Sequence, residues 1–352
     1  MQFRLATAVL AAGAMFVVAH TDTRSARFND VRIDALRRAE VRWTPATNQP
    51  PYDDPLTCRF VAAPPTGTSA KFNCELPDGR IVKVKYGRNP EIYAETAATR
   101  LLTSLGYPAD EMRIVSQVRC QGCPLYPFFS MQVLWLLHRP DALGPHGDDR
   151  RVTVFESPAV EQKFQAPSIA TDGDTGWGWW ELQYSKAPRA DLDALRLLAI
   201  FLAHWDNKPD NQRLVCADAA PSANDRCEHP VAMIQDLGAT FGPYKANLAS
   251  WQRAPIWSDR RSCVVSMKTL PFQGATFPDT RISEEGRLQL ADALLAMSDD
   301  DVRRLFRDAK FGDYYSATDD ERDLDAWVSA FHHRVLEIAT AGPCPGAPRS
   351  HP

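Results

Sequence analysis

The feature that most restricts this chain is a change of hydrophobic period along its length. Lys71–Leu76 (KFNCEL) and Arg80–Tyr86 (RIVKVKY) alternate apolar and polar residues and are separated by Pro77-Asp78-Gly79. An Asp-Gly between two alternating runs predicts a β-hairpin. Farther on the period lengthens: Leu192, Leu195, Leu198, Phe201 and Leu202 recur at helical spacing within Arg189–Ala203 and predict a broad-striped core helix. A further helix is expected over Pro90–Leu105, and strands over Arg113–Val118, Met131–Leu137 and Val231–Ile234. Three helical stretches close the chain near 283–297, 299–309 and 319–340, the last opened by a capping box, Thr318 with Glu321. Strands with one helix, then mainly helices, predict an α+β fold with a small β-rich N-terminal lobe and a larger, mainly helical C-terminal lobe.

The first residues read as an address. Arg4 precedes a 15-residue apolar run, Leu5–Ala19, which is short for a bilayer span. Val17 and Ala19 give a small-residue cleavage spacing, so residues 1–19 are expected to be a signal peptide and the mature chain to be exported, periplasmic or extracellular, with no membrane span. Residues 20–55 are expected to hold a short helix (28–42) and a Pro-rich linker, 56–140 the first lobe, 141–344 the second, and 345–352 a tail. The eight cysteines suit export, where an even count favours disulfides. Sequence neighbours suggest Cys58–Cys74, Cys216–Cys227 and a late Cys263–Cys344 clasp. Cys120-Gln-Gly-Cys123 has no second pair at similar spacing to make a zinc knuckle, and it precedes Pro124; a structural loop bridge is expected. A net charge of −4, from 40 Lys+Arg and 44 Asp+Glu, gives no basic footprint for nucleic acid.

The stretch that carries chemistry is His204-Trp205-Asp206-Asn207-Lys208-Pro209-Asp210-Asn211, directly after the apolar helix, followed by Val231-Ala-Met-Ile-Gln-Asp236-Leu237-Gly238. Asp206 and Asn211 leave a buried helix on one loop, and Asp236 leaves a buried strand. Carboxylate and amide oxygens presented in this way suit Mg²⁺ with phosphates.

HWDNKPDN resembles the protein-kinase catalytic loop, and Asp-Leu-Gly resembles the kinase metal-binding triplet. The resemblance implies Asp206 as catalytic base, Lys208 beside the transferred phosphate, and Asn211 and Asp236 as Mg²⁺ ligands. It also implies a strand lysine on the α/β-phosphates and a helix glutamate that positions it. Lys85 with Glu95 fill those places; Lys83 with Glu91 are the alternative, because Lys83 and Lys85 share a strand face. The phosphate cover would be Gly67-Thr68-Ser69-Ala70-Lys71, which lacks the glycine-rich pattern. With the short lysine-to-helix connection, this departure is similar to the atypical kinase-like group: lipid kinases, HipA-type bacterial kinases and secreted Golgi casein-kinase-type enzymes. The gap between Asn211 and Asp236 is also long and contains Cys216 and Cys227, so a disulfide-closed hairpin is expected as an insertion there. The resemblance spans about residues 56–340 and implies a bilobed kinase-like fold that uses ATP and Mg²⁺ on a protein, sugar or small-molecule hydroxyl. A pseudokinase-type binding protein and nucleotidyl transfer (AMPylation) are the alternatives.

Other singled-out residues have plainer readings. His204 is expected to brace its loop rather than carry protons, and His332-His333 to be structural. Trp177, Trp179 and Trp180 are expected to pack a Gly-hinged loop over the second lobe rather than to form a stacking platform.

Overall fold

The computed structural model describes residues 54–169, 176–216, 227, 230–243, 245–271 and 277–345. The expected signal peptide, the 28–42 helix, most of the linker and nearly all of the tail lie outside the described residues. Among the described residues no helix is long and apolar enough to cross a membrane.

The fold is α+β, with the β-rich part first and the mainly helical part second. Seven strands, β1 (Leu56–Val61), β2 (Lys71–Glu75), β3 (Ile81–Lys85), β4 (Glu111–Ile114), β5 (Gln117–Gly122), β6 (Asp148–Glu156) and β7 (Ala159–Gln162), form one sheet in the order β4-β7-β3-β2-β1-β5-β6. The predicted hairpin is present as β2 (Lys71–Glu75) and β3 (Ile81–Lys85), in a register that sets Lys71 opposite Lys85. Gly79 sits at φ 84°, where a side chain would be strained, and Asp78 Oδ1 accepts the Arg80 N–H at 3.0 Å. Helix α1 (Pro90–Ser104) starts where Asn89 caps the Glu91 N–H and Pro90 occupies the first turn. It is buried on nearly all sides, because it packs on β4 and also faces the helical part.

Three expectations are corrected here. Arg113–Val118 is two strands, β4 (Glu111–Ile114) and β5 (Gln117–Gly122), which lie far apart in the sheet. The break falls at Val115-Ser116, where the Ser116 N–H turns to the Asp54 carboxylate at 2.9 Å. Met131–Leu137 belongs to helix α2 (Pro127–Leu136), not to a strand. A run whose one polar residue is Gln132 carries no period to separate the two, and Pro127 in the first turn favours the helix. The sheet also runs past the expected boundary at residue 140: β6 (Asp148–Glu156) and β7 (Ala159–Gln162) belong to it. Sheet pairing of β7 with β3, rather than any composition shift, fixes that boundary.

The second part is built around α3 (Arg189–Phe201), which packs against α5 (Glu284–Leu295). A short helix α4 (Leu248–Arg253) lies between them in sequence; α6 (Asp299–Asp308), α7 (Asp319–Arg322) and α8 (Leu324–Ala339) follow. The last predicted helix is split in two because Asp323 caps a new start, while Thr318 and Glu321 do form the capping box ahead of it. Phe201, Phe241, Trp251, Phe306, Trp327 and Phe331 form an edge-to-face aromatic centre. Within it the fully buried Arg334 donates to the carbonyls of Ile200 (3.1 Å), Phe201 (3.2 Å), Trp251 (2.7 Å) and Ala254 (2.6 Å). That guanidinium ties off the end of α3, just ahead of the loop bearing Asp206.

The four disulfides are Cys58–Cys74, Cys120–Cys123, Cys216–Cys227 and Cys263–Cys344. The Cys216–Cys227 bridge lies in the connection of a hairpin, β8 (Gln212–Cys216) with β9 (Pro230–Ile234). The hairpin is therefore not a separate insertion: its second strand leads directly to Asp236. Trp177 and Trp179 are buried and stack edge-on, with the Trp177 indole donating to the Met233 carbonyl at 3.1 Å, whereas Trp180 is exposed.

Candidate functional site

Between the sheet and the helical part lies a cleft of about 540 Å³. Of the residues singled out in the sequence, Gly67, Thr68, Lys85, Glu95, Asp206, Lys208, Asn211 and Asp236 all line it. Ser69 does not: it is buried beneath the turn, beside Glu91.

Its upper floor is ionic. Lys85 ends β3 and is 4% exposed, too deep for an unpaired ammonium. It forms ion pairs with Glu95 of α1 and, at 2.9 Å, with Glu161 of β7. Lys83, the alternative choice, reaches Glu161 at 3.3 Å. Glu91, its alternative partner, instead pairs with Lys245 across the cleft. The structure thus pairs Lys85 with Glu95 and separates Lys83 from Glu91. Burial opposes charge on Lys85, but Glu161, Glu95 and Asp236 outweigh it and hold the ammonium protonated. Burial likewise works against the Glu161 carboxylate, and Lys85, Lys163 and Lys83 overcome it, holding that group well below the usual range. Glu95 moves the other way, to about 7: burial raises it, and Glu161 and Asp236 add to the rise against Lys85.

The opposite wall is a set of backbone-braced turns. Leaving α3, the chain passes Ala203 at φ 52° and buries His204, whose ring burial pushes down to about 4 and so keeps neutral. The Asn207 amide, also buried, donates to the His204 carbonyl at 2.7 Å, and the Asn211 amide donates to the Asp206 carbonyl at 2.7 Å. With its nitrogen so engaged, the Asn211 amide oxygen has no hydrogen-bond partner among the described residues. Lys208 lies 3.3 Å from the Asp206 carboxylate. The segment leaving β9 is stitched to this loop: the Gln235 N–H donates to the Asn211 carbonyl at 3.1 Å, and the Trp205 N–H to the Ala239 carbonyl at 3.3 Å. Asp236 itself sits at φ 51°, a left-handed conformation that aspartate tolerates better than most residues. No hydrogen bond to its exposed carboxylate is found among the described residues. Gly238 lies so close to α1 that a Cβ there would come within 2.3 Å of Glu91 Cγ, so the Asp-Leu-Gly turn and the helix bearing Glu95 are packed together.

Sequence reasoning missed Glu161, Lys163 and Lys245, which also line the cleft, as does Lys71 of the expected phosphate cover. Lys163 bonds to Glu161 at 2.6 Å and to Asp110 at 2.7 Å. The one local signal was a charged pair, Glu161 and Lys163, closing an otherwise apolar run; only the β3–β7 register gives it meaning.

The donor set fits a divalent ion with an anionic ligand: hard oxygens of Asp236 and Asn211 on one wall, a fixed ammonium on the other. No family model and no curated protein matches the chain. Among solved structures it resembles the Helicobacter pylori proinflammatory kinase CtkA, at a TM-score of 0.39 and 11% identity over 77% of this chain and 92% of that one. A likeness of that degree adds nothing to the geometry of the cleft.

Proposed function

We propose that this chain is an exported, kinase-like phosphotransferase that moves the terminal phosphoryl group of Mg-ATP to a hydroxyl acceptor. The observation that supports it is the Lys85–Glu95 pair set in the same cleft as Asp206, Asn211 and Asp236. Five polar groups from a strand, a helix and two loops converge there: Lys85, Glu95 and Asn211 are buried, Asp236 sits at a positive φ and Asp206 is half-buried. Lys85 would bind phosphate oxygens as a point charge, oriented by Glu95 and Glu161. Asp236 and Asn211 would hold Mg²⁺, which when bound supplies charge neutralisation to the phosphates. Asp206 would accept the acceptor's proton, with Lys208 beside it; catalysis would rest on positioning and fixed charge.

The test is a pair of substitutions in purified mature protein, read by Mg-ATP-dependent thermal stabilisation and by phosphoryl transfer to itself or a model hydroxyl, detected by intact mass. Asp236→Ala should abolish stabilisation. Asp206→Ala should leave stabilisation in place and lower turnover by roughly 10²–10⁴-fold, the range of a lost general base. Equal loss of binding in both variants would overturn the assignment of the base, and a nucleotidyl adduct in place of a phosphoryl group would reassign the reaction.

A further inference from the structure

The lining of the cleft is unusual for a site that would hold a purine. A base needs an apolar slot against its faces and a donor or acceptor at its edge. Here the lining contains six lysines (Lys71, Lys83, Lys85, Lys163, Lys208 and Lys245) and six carboxylates, and among its described residues Ala239 is the single apolar side chain. The back corner beyond β7 is closed by charge as well. Asp110 gathers Lys163 at 2.7 Å, the Phe164 N–H at 2.8 Å and Gln235 at 3.1 Å, so the backbone donor following the strand is already engaged. Phe164 packs away from the cleft, against Val215, Val231 and Met233. An apolar hollow adjoining the cleft under Thr66 and Lys71 has about 40 Å³, against about 540 Å³ for the cleft itself.

The charges that remain after internal pairing are matched to phosphate and metal. Lys83, Lys85, Lys163, Lys208 and Lys245 each have a carboxylate partner. Lys71 has none among the described residues. It stands opposite Lys85 on β2, and a Cβ on Gly67 would lie 3.0 Å from its Nζ, which places it under the Thr66–Ala70 turn. Burial, then the neighbouring charges of Lys85 and Lys83, lower its pKa against the pull of Asp236 and Glu95. Asp236 is the corresponding carboxylate without a hydrogen-bond donor.

From this lining we infer that the phosphate donor is held by its phosphates and metal alone, so that the site takes nucleoside triphosphates regardless of base and inorganic tripolyphosphate as well, with Lys71 as a phosphate contact. The inference rests on the phosphotransferase reading. In the step it implies, the acceptor oxygen bonds to the terminal phosphorus, the bridging P–O bond breaks, and the acceptor proton passes to Asp206. A nucleoside diphosphate leaves from a nucleotide and diphosphate leaves from tripolyphosphate.

Titration calorimetry of the mature protein with MgATP, MgGTP, magnesium tripolyphosphate and adenosine decides it. MgATP and MgGTP should bind within about threefold of each other, tripolyphosphate within about tenfold of ATP, and adenosine not at all, since a stacked base typically adds on the order of ten- to a hundredfold. Lys71→Met should weaken the three phosphate ligands alike, by roughly tenfold or more, as expected for a lost charged hydrogen bond. Tight ATP with GTP more than about thirtyfold weaker, binding of adenosine, or no effect of Lys71→Met would overturn the inference and leave the phosphotransferase reading standing. Binding of none of the phosphate ligands would overturn both.

Discussion

Replacing Arg334 by methionine keeps most of the side-chain volume and removes its N–H donors. Four carbonyls feel the loss, but unequally. Phe201 O retains the Trp251 indole at 2.8 Å, Ile200 O retains the Ala203 N–H at 2.9 Å, and Trp251 O retains the Ala254 N–H at 3.2 Å. Ala254 O is left without a partner among the described residues, which costs about 1–3 kcal/mol, and each of the other three charged bonds is worth about 1 kcal/mol or more. Stacking of the guanidinium over Trp251 and Phe201, at 5.4 and 5.8 Å from the ring centroids, adds about 1 kcal/mol. Relief from burying the charge opposes these terms by several kcal/mol, because a lone buried cation is expensive. The balance is a destabilisation of about 2–4 kcal/mol, or a Tm lower by about 3–6 °C for a chain of this size. Urea unfolding followed by circular dichroism, with hydrogen exchange across residues 203–211, reads both the global loss and the loosening of the loop. A variant as stable as the parent, or more so, would refute the reasoning: it would mean that the carbonyls do not need this cation.

Two further predictions follow from the buried charges. His204 titrates near 4 in the fold and near 6.5 when unfolded, so its stabilising contribution is complete above pH 6.5 and is lost as the pH falls toward 4. That loss amounts to on the order of 3 kcal/mol, and His204→Gln should flatten the slope of stability between pH 4 and 6.5 in urea titrations. Glu161→Gln should destabilise by about 3–5 kcal/mol, since Lys83, Lys85 and Lys163 lose a shared anion. Glu95→Gln should cost clearly less, because burial already raises that group; equal Tm losses in the two variants would refute the division of charge between them.

Much of this architecture could be read from residue order alone, and the parts that could not have specific reasons. The hairpin, α1, the core helix α3 and the closing helices announce themselves by period, turn and cap. Each disulfide joins cysteines consecutive along the chain, which is why sequence neighbours suggest them. Helix α2 was obscured because PFFSMQVLWL has no polar rhythm. The division of Arg113–Val118 was obscured because two short strands with a two-residue break look like one. In the site, Asp206, Asn211 and Asp236 stand in recognisable spacing. The choice between Lys83 and Lys85 could not be made from parity, as both project to the same side; it is made by burial and by Glu95, which pairs with the buried Lys85, while Lys83, among the described residues, reaches only Glu161, which β7 brings beside β3 from 78 residues away. Such pairings exist only in the register of non-adjacent strands, and nothing local encodes them.

The order of the large sheet has a mechanical meaning. On one flank, β1, β2 and β5 carry Cys58–Cys74 and Cys120–Cys123, covalent fastenings whose sulfurs Cys74 and Cys120 lie 3.6 Å apart. On the other flank, β3 and β7 are held side to side by the shared ammonium and carboxylate groups of Lys83, Lys85, Glu161 and Lys163. The first flank is fixed by covalent bonds that pH does not touch; the second holds only while Glu161 and its lysines stay charged. The part of the sheet that meets the cleft is therefore the adjustable edge of an otherwise riveted plate.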